Sequence, residues 1–374
     1  MKKNILIIDD SALMRRVLSD IINSDNRFLV TEVAANGLDG LTILQNRAKE
    51  FDAIILDINM PRMNGIELLA ELKSQNIKAT IIIVSTIAKK DAKETIRALE
   101  LGAFDFVTKP ESYLEVKSNQ FTDNILKCLA TATKADVKAE VKTDIKADIK
   151  AMKESIIEKL EAINPTKEVS HSKSSVQASK NANKLIALAC STGGPKALHV
   201  VLPALPKNLD ASVLIVQHMP GGFTKSLADR LNELSQINVK EAEDGEFLCK
   251  GTVYIAKGGY QMRLKKQTDG QYCISLSKEA ARHGLLPCAD IMYESLVDTN
   301  FDRITCVVLT GMGGDGTAGI SQLYKKQNIY VIAQNEESSI VYGMPKVIKE
   351  SGLVDEIVAL NDVSDAIIKN VGVY

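Results

Sequence analysis

The chain has 374 residues, 25% of them charged and 45% hydrophobic, with a formal net charge of −1. At roughly 100–200 residues per domain, that is room for two cores. The near-neutral balance gives no electrostatic reason to expect nucleic acid as a partner. No apolar run approaches the ~18 residues of a membrane span, so direct membrane insertion is not expected.

The first segment, "MKKNILIIDD", opens on two lysines, but its apolar run stops at Asp9. That predicts a first strand and not a secretion signal. The six cysteines, Cys128, Cys190, Cys249, Cys273, Cys288 and Cys306, show no C-x-x-C pair and no zinc-type spacing. Buried, reduced thiols in a cytoplasmic protein are the expectation.

Residues 1–130 alternate short apolar runs ("ILII", "FLVTEV", "AIIL", "ATIIIV", "FDFV") with segments of helical spacing such as "SALMRRVLSDII" and "DAKETIRALELG". The pattern predicts one doubly wound α/β domain with five parallel strands. Asp9 and Asp10 follow the first strand, Asp57 ends the third, Ser85 and Thr86 follow the fourth, and Lys109 follows the fifth. In a doubly wound sheet these strand ends share one edge, so three carboxylates, hydroxyls and an ammonium converge. Clustered carboxylates disfavour their own ionisation and suit a hard cation such as Mg²⁺. Taken singly, Asp10 or Ser11 reads equally well as a helix N-cap.

The stretches "ILIIDDSALMRR", "AIILDINMPRMNGIELL", "IIIVST" and "GAFDFVTKP" resemble the response-regulator receiver family, whose fold is flavodoxin-like. The resemblance implies that Asp57 is the phosphoacceptor and that Asp9 and Asp10 hold Mg²⁺ together with it. It implies that Lys109 contacts the phosphoryl group. Ser85 is the implied switch hydroxyl, with Thr86 the neighbouring alternative, and a histidine kinase is the implied phosphodonor.

Residues 131–184 differ in composition. "KADVKAEVKTDIKADIK" is a near repeat of four residues that fits helix and strand about equally poorly. "MKESIIEKLEAI" is a better amphipathic helix, and "SHSKSSVQASKNANK" reads as flexible. This segment is expected to be a charged, partly helical or disordered linker.

From 185 to 374 the alternation returns with "LIALAC", "SVLIVQH", "VYIA", "ITCVVLT" and "NIYVIA". A second doubly wound domain with a mostly parallel sheet is expected. Thr268-Asp269-Gly270 marks a hairpin. "ACSTGGPKAL" reads as strand, turn, helix. Its Ser191 is either an exposed nucleophile or part of a phosphate-gripping loop, although no G-x-G-x-x-G or G-K-[ST] pattern supports the second. A nucleophilic serine needs a base. Of the four histidines, His218 follows directly on a strand and should project at the same sheet edge as Ser191. A structural role is the alternative for that histidine. Asp315, in the glycine-rich "LTGMGGDGTAGI", either orients the imidazole or caps the helix that follows it.

"STGGP", "VQHMPGGFTKSLADRLN", "EAEDGE", "LTGMGGDG" and "YGMPKVI" resemble the catalytic domain of the chemotaxis protein-glutamate methylesterase family. The resemblance implies a Ser191, His218, Asp315 triad, with Thr192 and Gly193 beside the nucleophile and the Met312 amide as an oxyanion donor. It implies hydrolysis of γ-glutamyl methyl esters on methylated membrane chemoreceptors with release of methanol, and deamidation of receptor glutamines. No cofactor is implied for the ester chemistry.

Overall fold

The structure is a computed structural model that describes residues 1–110, 119–135, 183–268 and 270–374. Most of the expected linker lies outside the described residues. So do His171 and Asp269.

The first sheet is built by β1 (Lys3–Ile8), β2 (Phe28–Ala34), β3 (Ala53–Asp57), β4 (Ile81–Ser85) and β5 (Asp105–Thr108). Their order is β2-β1-β3-β4-β5, and every pairing is parallel. The central strands β3 and β4 are buried at every position, which is why they read as unbroken apolar runs. The edge strand β2 instead alternates in burial. The helices are α1 (Ala12–Ser24), α2 (Gly37–Arg47), α3 (Gly65–Ser74), α4 (Lys89–Leu101) and α5 (Asn119–Ala132). Ser11, and not Asp10, is the N-cap of α1; its side chain accepts from the Met14 amide. Asn64 and Glu67 form a capping box on α3, and α4 stops at Gly102, whose φ of 114° a glycine tolerates without strain.

The second sheet has seven parallel strands in the order β14-β13-β12-β6-β7-β9-β8. These are β6 (Lys184–Cys190), β7 (Ser212–Gln217), β8 (Asn238–Glu241), β9 (Thr252–Ile255), β12 (Arg303–Val308), β13 (Ile329–Gln334) and β14 (Glu356–Val358). The hairpin β10 (Gln261–Lys266) and β11 (Tyr272–Ser277) is the antiparallel exception. The helices are α6 (Gly194–Val201), α7 (Phe223–Leu234), α8 (Ala289–Glu294), α9 (Thr317–Tyr324), α10 (Met344–Glu350) and α11 (Val363–Val371). From β6 the chain first winds toward β7, then returns to the other side through β12. The switch point of the sheet therefore lies between β6 and β12, where ligands bind at the strands' carboxyl edge.

The two domains meet through helices, with α4 packed on α7 and α6. Phe106 of β5 meets Phe223 of α7 with ring centroids 4.6 Å apart. The cysteines are all unpaired, but only four are buried: Cys249 is exposed and Cys128 is half-buried. That corrects the expectation of uniformly buried thiols, since Cys249 lies beyond β8 at the surface turn leading to β9. Among the described residues, no helix is long and apolar enough to cross a membrane.

Candidate active site and phosphoacceptor site

In the first sheet, Asp9 and Asp10 emerge from the end of β1, Asp57 is the last residue of β3, and Lys109 follows the last residue of β5. The switch point of a β2-β1-β3 arrangement lies between β1 and β3, so the acids stand where a ligand is bound. The ligand oxygens of Asp9, Asp10 and Asp57 lie within 4.8 Å of one another. Asp9 and Asp57 are buried, whereas Asp10 faces solvent. Lys109 Nζ bridges Asp9 Oδ2 at 3.0 Å and Asp57 Oδ1 at 2.9 Å.

Burial raises the Asp57 carboxyl above its usual range; the pull of Lys109 opposes this and the repulsion of Asp9 adds to it. Burial alone would lower Lys109, but attraction to Asp57 and Asp9 outweighs it and holds the ammonium charged. One ammonium faces three carboxylates, which leaves a surplus of negative charge in a niche of oxygen donors. That chemistry fits a hard divalent cation.

The hydroxyls are placed differently from the acids. Ser85 is buried and its Oγ accepts from Thr95 Oγ1 at 2.9 Å. Thr86 Oγ1 donates to the Asp91 carboxylate. Neither hydroxyl is hydrogen-bonded to Asp57. Arg15, which the sequence did not single out, donates to the Asp9 and Asp10 carbonyls at 2.7 and 3.0 Å and fixes the turn that carries both acids.

In the second sheet, Ser191 is the first residue past β6. Its amide donates to Thr310 O at 3.0 Å, and Gly194 N donates to Ser191 O at 2.7 Å. The turn needs Gly193 at φ 79° to enter α6. A Cβ on Gly194 would strike the Gln217 side chain, so the helix can start this close to β7 only with glycine there. His218 is the first residue past β7, and its amide donates to Cys190 O at 3.2 Å. Asp315 lies in the loop between β12 and α9.

His218 Nε2 and Asp315 Oδ2 are 2.7 Å apart. The same Asp315 carboxylate accepts from the amides of Ala289 at 2.6 Å, Asp290 at 3.0 Å and Gly316 at 3.0 Å, and from Cys288 Sγ at 3.1 Å. Burial would raise this acid, but the hydrogen bond and charge of His218 and the amides of Asp290 and Ala289 hold it below the ordinary carboxylate range. It does not cap its own helix by a side-chain bond: the N-cap of α9 is Gly316, φ 94°, with no side-chain cap. Asp315 instead receives the first amides of α8. The helix-cap alternative is thus replaced by an acid held between an imidazole and a neighbouring helix.

Ser191 Oγ makes no hydrogen bond to His218, and the amides of Thr192, Gly193 and Met312 donate to no acceptor among the described residues. Ser191, Thr192, His218, Met312, Gly313 and Asp315 line one cavity of about 720 Å³. Its other wall is the first domain: Phe104, Asp105, Phe106 and Thr131 line the same space. Asp105 shares a side-chain hydrogen bond with Thr192, and burial pushes its carboxyl up to about 6. Thr131 Oγ1 donates to Met312 Sδ at 3.4 Å. Elsewhere between the domains, Glu100 of α4 takes His199 Nε2 at 2.8 Å and Arg230 Nε at 2.6 Å.

Two family models match the chain: CheB methylesterase over residues 186–367 and response regulator receiver domain over residues 5–118. A protein-glutamate methylesterase/protein-glutamine glutaminase of Halalkalibacterium halodurans is 40% identical over 365 residues, covering 98% of this chain and 97% of that protein. One of Syntrophomonas wolfei is 37% identical over 371 residues, covering 98% of this chain and 99% of the relative. The chain belongs to the protein-glutamate methylesterase/protein-glutamine glutaminase family. Among solved structures, the Thermotoga maritima CheB methylesterase catalytic domain is 39% identical and covers 51% of this chain and 100% of its own, with a TM-score of 0.49.

In this family member, sequence reasoning overlooked three supports of the site. Gln217, buried at the end of β7, donates through Nε2 to Ser191 O at 3.1 Å and His218 O at 3.2 Å, tying the two strand ends together. Its position directly before His218 was the available signal. Cys288 and Asp290 stand behind Asp315, and nothing in "LLPCADIM" announces that role. The interdomain Glu100, His199 and Arg230 each read as ordinary helix-surface residues.

Proposed function

We propose that this family member hydrolyses γ-glutamyl methyl esters on methylated membrane chemoreceptors, releasing methanol, and deamidates receptor glutamines. Phosphorylation of Asp57 by a histidine kinase in the cytoplasm activates it. The observation that carries the reading is the 2.7 Å His218–Asp315 contact at the switch point of the second sheet, with Ser191 on the adjoining strand end.

With Nε2–H given to Asp315, Nδ1 is the basic nitrogen of His218. It takes the Ser191 proton as Oγ attacks the ester carbonyl. The unsatisfied amides of Thr192, Gly193 and Met312 receive the oxyanion, each such donor contributing about 3 kcal/mol. The proton returns to the methoxide, methanol leaves, and water attacking by the same path frees the glutamate and regenerates Ser191. For a glutamine side chain the leaving group is ammonia. Asp315, kept ionised by its amide donors, fixes the tautomer and stabilises the imidazolium.

In the receiver, Asp57 is the phosphoacceptor and Asp9, Asp10 and Asp57 are the residues that would hold Mg²⁺. The cation would supply neutralisation of phosphoryl oxygens there. Lys109 already holds the Asp57 carboxylate and serves the phosphoryl group once it is attached. Ser85, with Thr86 beside it, is the hydroxyl that responds. Unphosphorylated, the receiver walls the cleft with Asp105, Phe106 and Thr131.

The test is methanol release from methylated receptor membranes, with and without Mg²⁺ and a small phosphodonor. Release should rise with the phosphodonor and fall at least ~10³-fold in Ser191→Ala. Turnover retained by Ser191→Ala would refute the assignment.

A further inference from the structure

Asp315 does not stand alone. Asp290 is 7% exposed, and the ligand atoms of Cys288, Asp290 and Asp315 lie within 4.8 Å of one another. The Asp290 backbone and side chain act in opposite directions. Its amide donates to Asp315 Oδ1 at 3.0 Å, while its Oδ1 accepts the Gly319 amide of α9 at 2.7 Å. The α9 helix presses so close that a Cβ on Gly319 would sit 2.7 Å from Asp290 O. One residue therefore fastens α8 both to the loop bearing Asp315 and to the helix that follows that loop.

The groups around this carboxylate are acidic or neutral, apart from the imidazole beyond Asp315 and the Arg282 guanidinium, which feels the Asp290 charge but is paired with Glu294. Asp315 is on one side with His218 behind it. Cys288, whose thiol burial holds protonated, donates to Asp315. On its own helix, Tyr293 is a buried phenol and Glu294 is engaged by Arg282 at 2.6 Å. Among the described residues, no basic side chain forms an ion pair with Asp290. A buried acid with no ion-pair partner of its own, beside a second acid that is hydrogen-bonded to an imidazole, is arranged to act on that neighbour.

We infer that Asp290 is a positioning residue for the hydrolysis: its carboxylate locks the Asp315 loop between α8 and α9 and places a second negative charge behind the His218 imidazole. This rests on the reading of Ser191, His218 and Asp315 as the triad. Burial, and then repulsion from Asp315, raises the Asp290 carboxyl, so of the two acids Asp290 is the one that takes up a proton on acidification. Asp315 remains the anion that His218 requires. Above the Asp290 transition both are charged, and the second charge adds to the stabilisation of the imidazolium formed in the reaction.

Asp290→Asn keeps the size and the carbonyl that accepts from Gly319 but removes the charge. The experiment compares the pH profiles of kcat/KM for methanol release by full-length wild type and variant, both in the phosphodonor-activated state, so that receiver groups titrate alike in both. The acid limb of the variant should move to lower pH by about half to one unit, with a several-fold lower plateau. An unchanged limb would overturn the proposal, whatever happens to the plateau, because a purely structural role lowers activity without moving it. If Asp290→Asn does not fold, the His218 Hε1 resonance of the wild type, assigned against His218→Gln, decides the matter. It should follow two transitions, and a single one overturns the proposal. Ser191→Ala separates the two readings. If it stays active, the triad reading fails. If it is inactive while the limb in Asp290→Asn is unmoved, only the Asp290 proposal fails.

Discussion

Glu100→Ala tests whether the receiver restrains the cleft through its side-chain contacts with the catalytic domain. Glu100 lies on α4 and takes two side chains from the catalytic domain, the His199 imidazole at 2.8 Å and the Arg230 guanidinium at 2.6 Å. His199 also places Nδ1 2.6 Å from Pro195 O, so both ring nitrogens face acceptors and the ring is held in one orientation. The His199 and Glu100 side chains are 12% and 19% exposed, and a charge-assisted bond in such a setting contributes about 1.5 kcal/mol. Arg230 is 39% exposed, so solvent screening reduces its share to about 0.5 kcal/mol. Together they hold the docked arrangement by about 2 kcal/mol, or about 30-fold in population. Alanine is a good helix former, so α4 itself should persist. The prediction is a ~10–30-fold rise in methanol release by the unphosphorylated variant, capped at the rate the wild type reaches with phosphodonor. A basal rate equal to wild type, in a variant that still responds fully to phosphodonor, would refute the idea that this cluster closes the cleft.

Other expectations follow from the same geometry. Asp315→Asn should lose ~10⁴-fold in kcat with an unchanged circular dichroism spectrum, and a loss under tenfold would contradict its role. Asp57→Asn should release methanol at the unphosphorylated rate with or without phosphodonor; any response would place the phosphoacceptor elsewhere. Asp105 has its docked value raised to about 6, so docking prefers the neutral acid. Its contribution to the closed form is full below about pH 4 and is lost as pH rises through about 6, a difference of at most about 3 kcal/mol. Asp105→Asn should therefore lower basal release at pH 7.5 and abolish the pH dependence of the solution radius of gyration between pH 4 and 7. Identical scattering profiles for variant and wild type across that range would count against it.

The strands and both strand-edge sites were legible because their chemistry lies in the letters. Asp9, Asp57, Lys109, Ser191 and His218 sit at the ends of apolar runs, and parallel topology brings such ends to one edge. Asp315 was legible only as an alternative, since an acid before a helix looks the same whether it caps that helix or serves another group. What decided it is which amides it receives, and those belong to Ala289 and Asp290, more than twenty residues earlier in the chain. Backbone donors leave no trace in residue type. The Glu100 cluster was hidden for a different reason. Each of its members is a charged or polar residue at a helix surface, and only the docking of two domains shows that these surfaces are shared.

The strand β5 links the two sites. It is four residues long, about 13 Å, with Lys109 directly after its carboxyl end and Asp105 as its first residue. Lys109 bridges Asp9 and Asp57, while Asp105 and Phe106 touch Thr192 and Phe223. A phosphoryl group on Asp57 adds a charge of about −1.5 to −2 next to Lys109, at one end of a strand whose other end stands in the catalytic cleft. Such a device works only if docking is weak. Inverting an equilibrium from 1:99 to 99:1 takes about 5.5 kcal/mol of differential interaction. A clasp of about 2 kcal/mol, offset at neutral pH by the burial of the Asp105 carboxylate, keeps the closed state within that reach. The unfavourable placement of Asp105 thus has a use: it holds the shut form near the point at which phosphorylation can open it.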